Sequence, residues 1–131
     1  MLLFVLICVL PLVSPVIIQG QIDYRKRRRL AVERTGESIC TFVRTMPFRG
    51  LDTRVIRAVY SIQKWVIYPI RPTDTFEEYG IVDEDLENFG KEVADLVGRD
   101  LTDTEANPYY GRVTTPEMLI RFLCAQPRLP T

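Results

Sequence analysis

The sequence contains no histidine, and its 131 residues include only three cysteines. Without histidine the chain has no imidazole to act as a general acid or base near neutral pH, or to bind a metal ion. An odd number of cysteines does not make a disulfide framework, and no histidine can activate one of them as a nucleophile. We therefore expect a protein that is not an enzyme and has neither a cofactor nor a metal site.

Net charge is also lacking, because 17 Lys and Arg residues balance 17 Asp and Glu residues. The first 22 residues carry no charged side chain at all. Residues 21–60 carry ten basic and four acidic side chains, a balance of +6, whereas residues 61–131 carry seven and thirteen, a balance of −6. The chain is thus apolar, then basic, then acidic, and the three parts favour different surroundings.

Residues 1–22 predict a transmembrane anchor. Residues 1–18 are apolar apart from Ser14 and two prolines, and the uncharged residues 19–22 extend them to a length that spans a bilayer. A cleaved signal peptide needs basic residues before its apolar core and small residues at its end, and both are missing here. A signal peptide, a lipoprotein cysteine at Cys8 and a misassigned start codon are the alternatives.

A basic cluster follows the apolar segment and consists of Arg25, Lys26, Arg27, Arg28 and Arg29. The positive-inside rule keeps such a cluster in the cytoplasm, which predicts a single-pass membrane protein with its N-terminus outside and its soluble domain cytoplasmic. These cations also attract anionic lipid, at about 1 kcal/mol each near the surface. We expect no nucleic-acid partner, because the pattern of a fold that reads bases is missing.

The rest of the chain predicts a helical domain over residues 52–124. A basic juxtamembrane segment and linker over residues 23–51 precede it, and a flexible, proline-rich tail over residues 125–131 follows it. Within the linker, the short apolar stretch of residues 39–43 could be a strand or a docking segment. About 80 residues are enough for the modest core of a small helical bundle.

Caps and apolar spacing predict two long helices in this domain. The first begins at Asp52 or Thr53 and ends before Pro69, and the second begins near Asp83 and closes at Gly98. The predicted apolar positions are Val55, Val59, Ile62 and Val66, widened by Ile56, Ala58, Trp65 and Ile67, in the first helix, and Leu86, Phe89, Val93, Leu96 and Val97 in the second.

Two shorter elements complete the predicted bundle. Thr102 and Glu105 fit a capping box for a short third element, and Thr115 before a proline predicts the start of a closing helix. Tyr109 and Tyr110 lie between the two elements. They could form a recognition pair, but we favour packing over a helix end, which is the more common role of aromatic residues in a loop.

Residues 54–123 resemble an acyl carrier protein domain. Residues 76–84 read Phe-Glu-Glu-Tyr-Gly-Ile-Val-Asp-Glu where that family has Phe-x-x-Leu-Gly-x-Asp-Ser-Leu, and residues 113–115 read Val-Thr-Thr where it has Ile-Thr-Thr. The resemblance implies an all-α fold, namely a small four-helix acyl-carrier-protein-like bundle behind the N-terminal transmembrane helix. The family attaches phosphopantetheine to its serine, but here that position is Asp83. A group carrier with a non-standard attachment site is therefore the alternative function.

An acidic surface is the most prominent feature of the second helix. Residues 73–107 contain twelve Asp and Glu side chains against one Lys and one Arg. The resemblance implies that acids of this helix dock a basic protein partner, and a field of this sign steers such partners on physical grounds as well. The predicted docking residues are Asp83, Glu84, Glu87 and Glu92.

The alternative role for these acids is a solvated face that only keeps the protein soluble. Adjacent carboxylates at a helix start point in different directions, so they do not converge on a metal ion or form a catalytic pair. The sequence therefore predicts a membrane-tethered, non-enzymatic interaction module with an acidic docking face.

Overall fold

The computed structural model describes residues 2–47 and 49–131, with side chains described from residue 15 onward. These residues form five α-helices, two 3-10 helices and no strand, so the all-α prediction is confirmed. The helices are α1 (Leu2–Glu33), α2 (Ile39–Thr45), α3 (Thr53–Tyr60), α4 (Asp83–Val97) and α5 (Pro116–Ala125), with 3-10 turns at Ser61–Trp65 and Thr104–Ala106.

The chain divides into two compact units, and the first, Met1–Thr35, consists of α1 and the start of the turn after it. The basic cluster of residues 25–29 is exposed on α1. Five consecutive residues, at about 100° each, surround a helix on all sides. The predicted anchor over residues 1–22 falls mostly on side chains outside the described residues. Among the residues that are described, no helix is long and apolar enough to cross a membrane.

The second unit, Gly36–Thr131, is built around α3, which contacts α2, α4 and α5. The predicted cap is confirmed, because the Asp52 carboxylate accepts a hydrogen bond from the Arg54 backbone N–H at 3.0 Å. The four predicted core positions, Val55, Val59, Ile62 and Val66, are all buried.

The wider apolar face predicted for this helix is partly wrong, because Trp65 is 55% exposed and Ile67 is exposed as well. The α-helix ends at Tyr60 and continues as a 3-10 turn through Trp65. A 3-10 turn has three residues per turn instead of 3.6, which displaces Trp65 at its end and Ile67 beyond it from the face that α-helical spacing predicts, although Val66 stays buried.

Helix α4 has the predicted bounds, and Gly98 closes it in the left-handed conformation with φ 67°. One of its predicted core positions is wrong, since Leu96 is 69% exposed. The buried positions Phe89, Val93 and Val97 recur at steps of four, and Ala94 joins them. These positions span an arc of about 140° of the helix circumference, and Leu96, seven residues after Phe89, lies about 20° beyond the edge of that arc.

The predicted start of the closing helix α5 is confirmed, with Thr115 accepting a hydrogen bond from the Met118 N–H at 3.2 Å. The predicted capping box of Thr102 and Glu105 is wrong. The Asp100 carboxylate, two residues before Thr102, accepts its N–H at 2.8 Å, and a single 3-10 turn follows instead.

The stretch over residues 39–43 is helical, so its interpretation as a strand is wrong. Ser38 and Thr41 form a reciprocal capping box at the start of α2. Phe42, which is 1% exposed, packs edge-on against the ring of Tyr60 with the ring centroids 5.2 Å apart. A helix in the predicted linker therefore contributes to the core of the second unit.

Residues 125–131, which the sequence predicts to be a flexible tail, form backbone hydrogen bonds with the segment at the end of α4. The Asp100 N–H donates to the Pro127 carbonyl at 2.8 Å, and the Leu129 N–H donates to the Gly98 carbonyl at 2.9 Å. These bonds frame an isolated antiparallel bridge between Arg99 and Arg128. Residues 127–129 are thus held against the segment that follows α4.

Candidate functional site

The four predicted docking residues are all exposed on α4. At about 100° per residue, Asp83 and Glu87 lie on one side of the helix, Glu84 lies about 60° beyond Glu87, and Glu92 lies about 80° beyond Glu84. The acids therefore cover roughly half of the circumference of α4 and do not converge on a single point.

The helix start itself explains part of this charge. The residue before α4 is Val82, whose side chain cannot accept a hydrogen bond from the free N–H groups of the first turn. Asp83, Glu84 and Asp85 occupy that turn, where the helix dipole favours negative charge. The acids of the first turn thus stabilise the helix, whereas Glu87 and Glu92 lie beyond it.

A groove with a volume of about 560 Å³ lies between α4, α5 and the segment that joins them. Asp83, Glu87 and Lys91 line it from α4. Its volume falls within the range of about 300–1,000 Å³ that is usual for ligand pockets. The apolar lining consists of Leu86, Leu101, Val113, Leu119 and Phe122.

A second groove, of about 360 Å³, lies on another side of α4. Trp65, Phe89 and Glu92 line it, and the two aromatic rings meet edge-on with centroids 5.6 Å apart. Trp65 therefore contacts α4 through Phe89, although its side chain stays half-exposed. Glu84 lines neither groove and lies between the two in helical position.

The only basic side chain on α4, Lys91, is paired with Glu87 at 2.9 Å. Both side chains are exposed, so the pair is worth at most about 1 kcal/mol and salt screens it. A basic group of a partner can therefore replace Lys91 beside Glu87 at little cost.

An ion pair between the buried Arg99 and the partly buried Asp52 lies at the far end of α4. Arg99 is 7% exposed, and its Nη2 donates to Asp52 Oδ2 at 2.9 Å. Its Nη1 donates to the carbonyls of Cys124 and Gln126, at 3.3 and 3.0 Å. One side chain thus links the end of α4, the cap of α3 and the end of α5.

The pKa of Asp52 reflects this environment. Burial raises the pKa of Asp52. Three effects lower it: the hydrogen bond from the Arg54 N–H, the hydrogen bond and charge of Arg99, and the charge of Arg128. Together they outweigh the effect of burial. The pKa of this carboxyl therefore lies below its usual value, and Asp52 is ionised near neutral pH. The Asp52 carboxylate therefore keeps its charge, and its ion pair with Arg99, near neutral pH.

Asn107, also buried, fixes the segment that forms one wall of the larger groove. Its Nδ2 donates to the Phe122 carbonyl at 2.9 Å and to Gln126 Oε1 at 2.8 Å, and its Oδ1 accepts the Tyr109 N–H at 2.9 Å. The prediction that both tyrosines pack over a helix end is wrong for Tyr110, which is exposed and lines the groove. Tyr109 is half-buried, and its ring centroid lies 5.9 Å from the guanidinium of Arg121 on α5. Hydrogen bonds of Asn107 therefore hold this segment to the end of α5.

The two described cysteines lie in different settings. Burial raises the pKa of the Cys124 thiol, and this effect outweighs the nearby Arg99 and Arg128 charges, so the group is protonated near neutral pH. Cys40 is exposed at the start of α2. Among the side chains that the structure describes, no group of His, Cys, Asp and Glu residues could hold a metal ion.

Glycine in the middle of α4 gives a prediction about stability. A Cβ atom added at Gly90 would lie 3.9 Å from Leu119 Cδ1, which is an ordinary contact. We expect Gly90→Ala to raise the free energy of unfolding by about 0.5–1 kcal/mol, because glycine has a low helix propensity. The matched variant Gly98→Ala, at a left-handed position, should lower it by about 1 kcal/mol. Urea denaturation followed by circular dichroism measures both, and a loss of stability in Gly90→Ala would contradict the expectation.

The site as a whole combines carboxylates at its edges with apolar surfaces between helices. Such an arrangement can bind a surface that presents basic groups beside apolar side chains. The acids were predictable from the sequence, whereas the grooves were not, because distant segments form them. Comparison of the chain with protein-family models, with curated proteins and with solved structures gives no match.

Proposed function

We propose that this protein is a non-enzymatic interaction module that docks a basic protein partner on α4. The observation that carries the proposal is the position of its acids: Asp83 and Glu87 border one partly apolar groove, and Glu92 borders another. The exposed carboxylates speed the encounter with a basic partner, and apolar side chains that enter a groove would supply most of the affinity.

We also propose that residues 1–22 tether the module to a membrane, with the N-terminus outside and Gly36–Thr131 in the cytoplasm. The uncharged sequence of these residues and the ring of cations at residues 25–29 support this. Anionic lipid repels α4, so a tethered domain is expected to present its acids to soluble partners.

A second candidate function is that of a group carrier on an acyl-carrier-protein-like bundle. The acidic helix α4 and the Thr115–Pro116 start of α5 support the likeness to that bundle. Asp83 lines the larger groove at the position of the family's serine, but it has no hydroxyl to form the phosphodiester, so a carrier would need another attachment residue. Intact mass after co-expression with a phosphopantetheinyl transferase decides between the two functions. A gain of roughly 340 Da, the mass of that prosthetic group, would establish the carrier.

The docking function predicts the effect of charge reversal at α4. We expect Glu84→Lys/Glu87→Lys to weaken binding of a synthetic amphipathic helix, with lysines on one side and leucines on the other, by about tenfold at low salt. Fluorescence anisotropy of the labelled peptide measures the dissociation constant.

The matched control is Glu77→Lys/Glu105→Lys, which changes the net charge by the same amount at exposed acids outside α4. It should weaken binding by no more than about twofold, since only the long-range field changes. Equal losses in the two variants would show that net charge, and not α4, binds the peptide.

A further inference from the structure

A groove of about 410 Å³ lies between α2 and α3, in the same unit as α4. Ile39, Val43 and Ile56 give it an apolar lining, and Arg44 and Arg57 add positive charge. The exposed Cys40 also lines it. We call this surface the basic groove.

The positive charge of the basic groove has no counter-charge on its own helices. Between residues 38 and 60 the only acid is Asp52, which is paired with Arg99 and Arg128 at 2.9 and 3.4 Å. Arg54 lies one turn before Arg57 on the same side of α3 and is exposed. Among the described ion pairs, none involves Arg44, Arg54 or Arg57. The groove is therefore open to an acidic partner.

Helix α4 carries an exposed surface that combines an apolar side chain with negative charge, and this complements the basic groove. Leu96, the predicted core residue that is 69% exposed, projects from it. Glu92 lies one turn earlier on the same side, Asp95 is adjacent in sequence, and both are exposed. We call these three residues the Leu96 knob. An apolar side chain beside acids thus matches an apolar groove beside arginines.

We propose that the Leu96 knob of one copy of this chain docks in the basic groove of a second copy. Leu96 then covers the apolar lining of the groove, and Glu92 and Asp95 meet Arg44 and Arg57. A second copy is favoured because every molecule carries both surfaces. The chain also has zero net charge, so long-range repulsion between copies is absent.

The two surfaces are different, so this contact is heterologous. Each copy in such an assembly offers its groove to one neighbour and its knob to another, which gives rings or open chains instead of a symmetric dimer. The inference rests on the proposed function in one respect: it names a second copy as a basic partner of α4.

Charge reversal in two complementary variants tests the contact. The full chain is purified in a neutral detergent, and sedimentation velocity measures self-association at low and high salt. We expect the wild type to associate at low salt and to dissociate at high salt, because screening weakens exposed charge pairs. Glu92→Lys/Asp95→Lys and Arg44→Glu/Arg57→Glu should each weaken association by about tenfold.

An equimolar mixture of the two variants should associate again, because each reversed surface meets a partner of opposite sign. Any association through residues 1–22 is common to all samples and does not change with these substitutions. A wild type that stays monomeric at low salt, or a mixture that does not recover, would overturn the proposal.

A cross-link gives a second, independent measurement. With Cys8 replaced by Ser, the variant Leu96→Cys should form intermolecular disulfides with the native Cys40 on mild oxidation, in a series of dimers, trimers and larger products. Glu105→Cys, an exposed position outside the knob, serves as the control. Equal products from the two variants would contradict the proposed geometry.

Failure of this inference and failure of the proposed function give different results. If the copies do not associate but Glu84→Lys/Glu87→Lys still weakens peptide binding, α4 docks a different protein and the inference is wrong. If the copies associate through the knob but Glu84→Lys/Glu87→Lys binds the peptide as well as Glu77→Lys/Glu105→Lys does, the proposed docking role of Glu84 and Glu87 is wrong.

Discussion

Replacing Arg99 by Met is expected to lower the free energy of unfolding by about 2–3 kcal/mol, because it leaves the partly buried Asp52 carboxylate with only the exposed Arg128 as a charged partner. The substitution also removes the hydrogen bonds to the Cys124 and Gln126 carbonyls at the end of α5. Urea denaturation followed by circular dichroism gives the change. The control is Arg128→Met, whose side chain is 75% exposed, and which should cost less than about 1 kcal/mol.

The ion pair between Arg99 and Asp52 also makes the free energy of unfolding depend on pH at acidic pH. The pKa of Asp52 is lower in the folded chain than in the unfolded chain, so the unfolded chain binds the proton more readily. The stabilisation is therefore complete above the unfolded pKa, at about pH 4, and disappears as the pH falls through the lower, folded value. Arg99→Met should show a shallower loss of stability over this pH range. An unchanged acid dependence would show that other carboxyls cause it.

Replacing Phe42 by Ala is expected to cost about 3–5 kcal/mol, the usual effect of removing a buried aromatic side chain. Phe42 is the buried residue of α2 and packs against Tyr60 of α3, so its loss leaves a cavity between these helices. Thermal and urea denaturation of the full chain measure the effect. The neighbouring Val43→Ala is the control, because Val43 is exposed and should change stability by less than about 0.5 kcal/mol.

The outcome for Phe42 also tests where the folded unit begins. If α2 were a linker, as the sequence indicates, Phe42→Ala would behave like its exposed neighbour. A large loss would establish that the core includes residues before Asp52. A loss below about 1 kcal/mol would contradict the packing of α2 against α3.

Local signals in the sequence predicted the helix ends. Gly98 stops α4 because it adopts a left-handed conformation, and Thr115 with Pro116 starts α5 through a cap and a fixed φ angle. Such signals act within a few residues. For α2 they were insufficient, since an apolar run of five residues is compatible with both a strand and a helix.

Which side of a helix is buried depends on what packs against it, and this was only partly predictable. Spacing placed Leu96 in the core of α4, and the packed structure leaves it in solvent. The Arg99–Asp52 pair joins residues 47 positions apart, which no local pattern reveals. The acids of the candidate site were found from charge alone, whereas their grooves need the folded chain.

The backbone hydrogen bond between Leu129 and Gly98 offers a place for a label. In a Cys8→Ser/Cys40→Ser background, a dye on Leu129→Cys would lie beside Gly98, which is two residues after Leu96 in sequence. Glu84 lies thirteen residues before Val97, or about 20 Å along the helix axis. The dye would report the arrival of a second copy at Leu96 and leave the first turn of α4 accessible. A single fluorophore thus distinguishes docking of a second copy at Leu96 from docking of a partner at the first turn of α4, because only the former occurs near the dye.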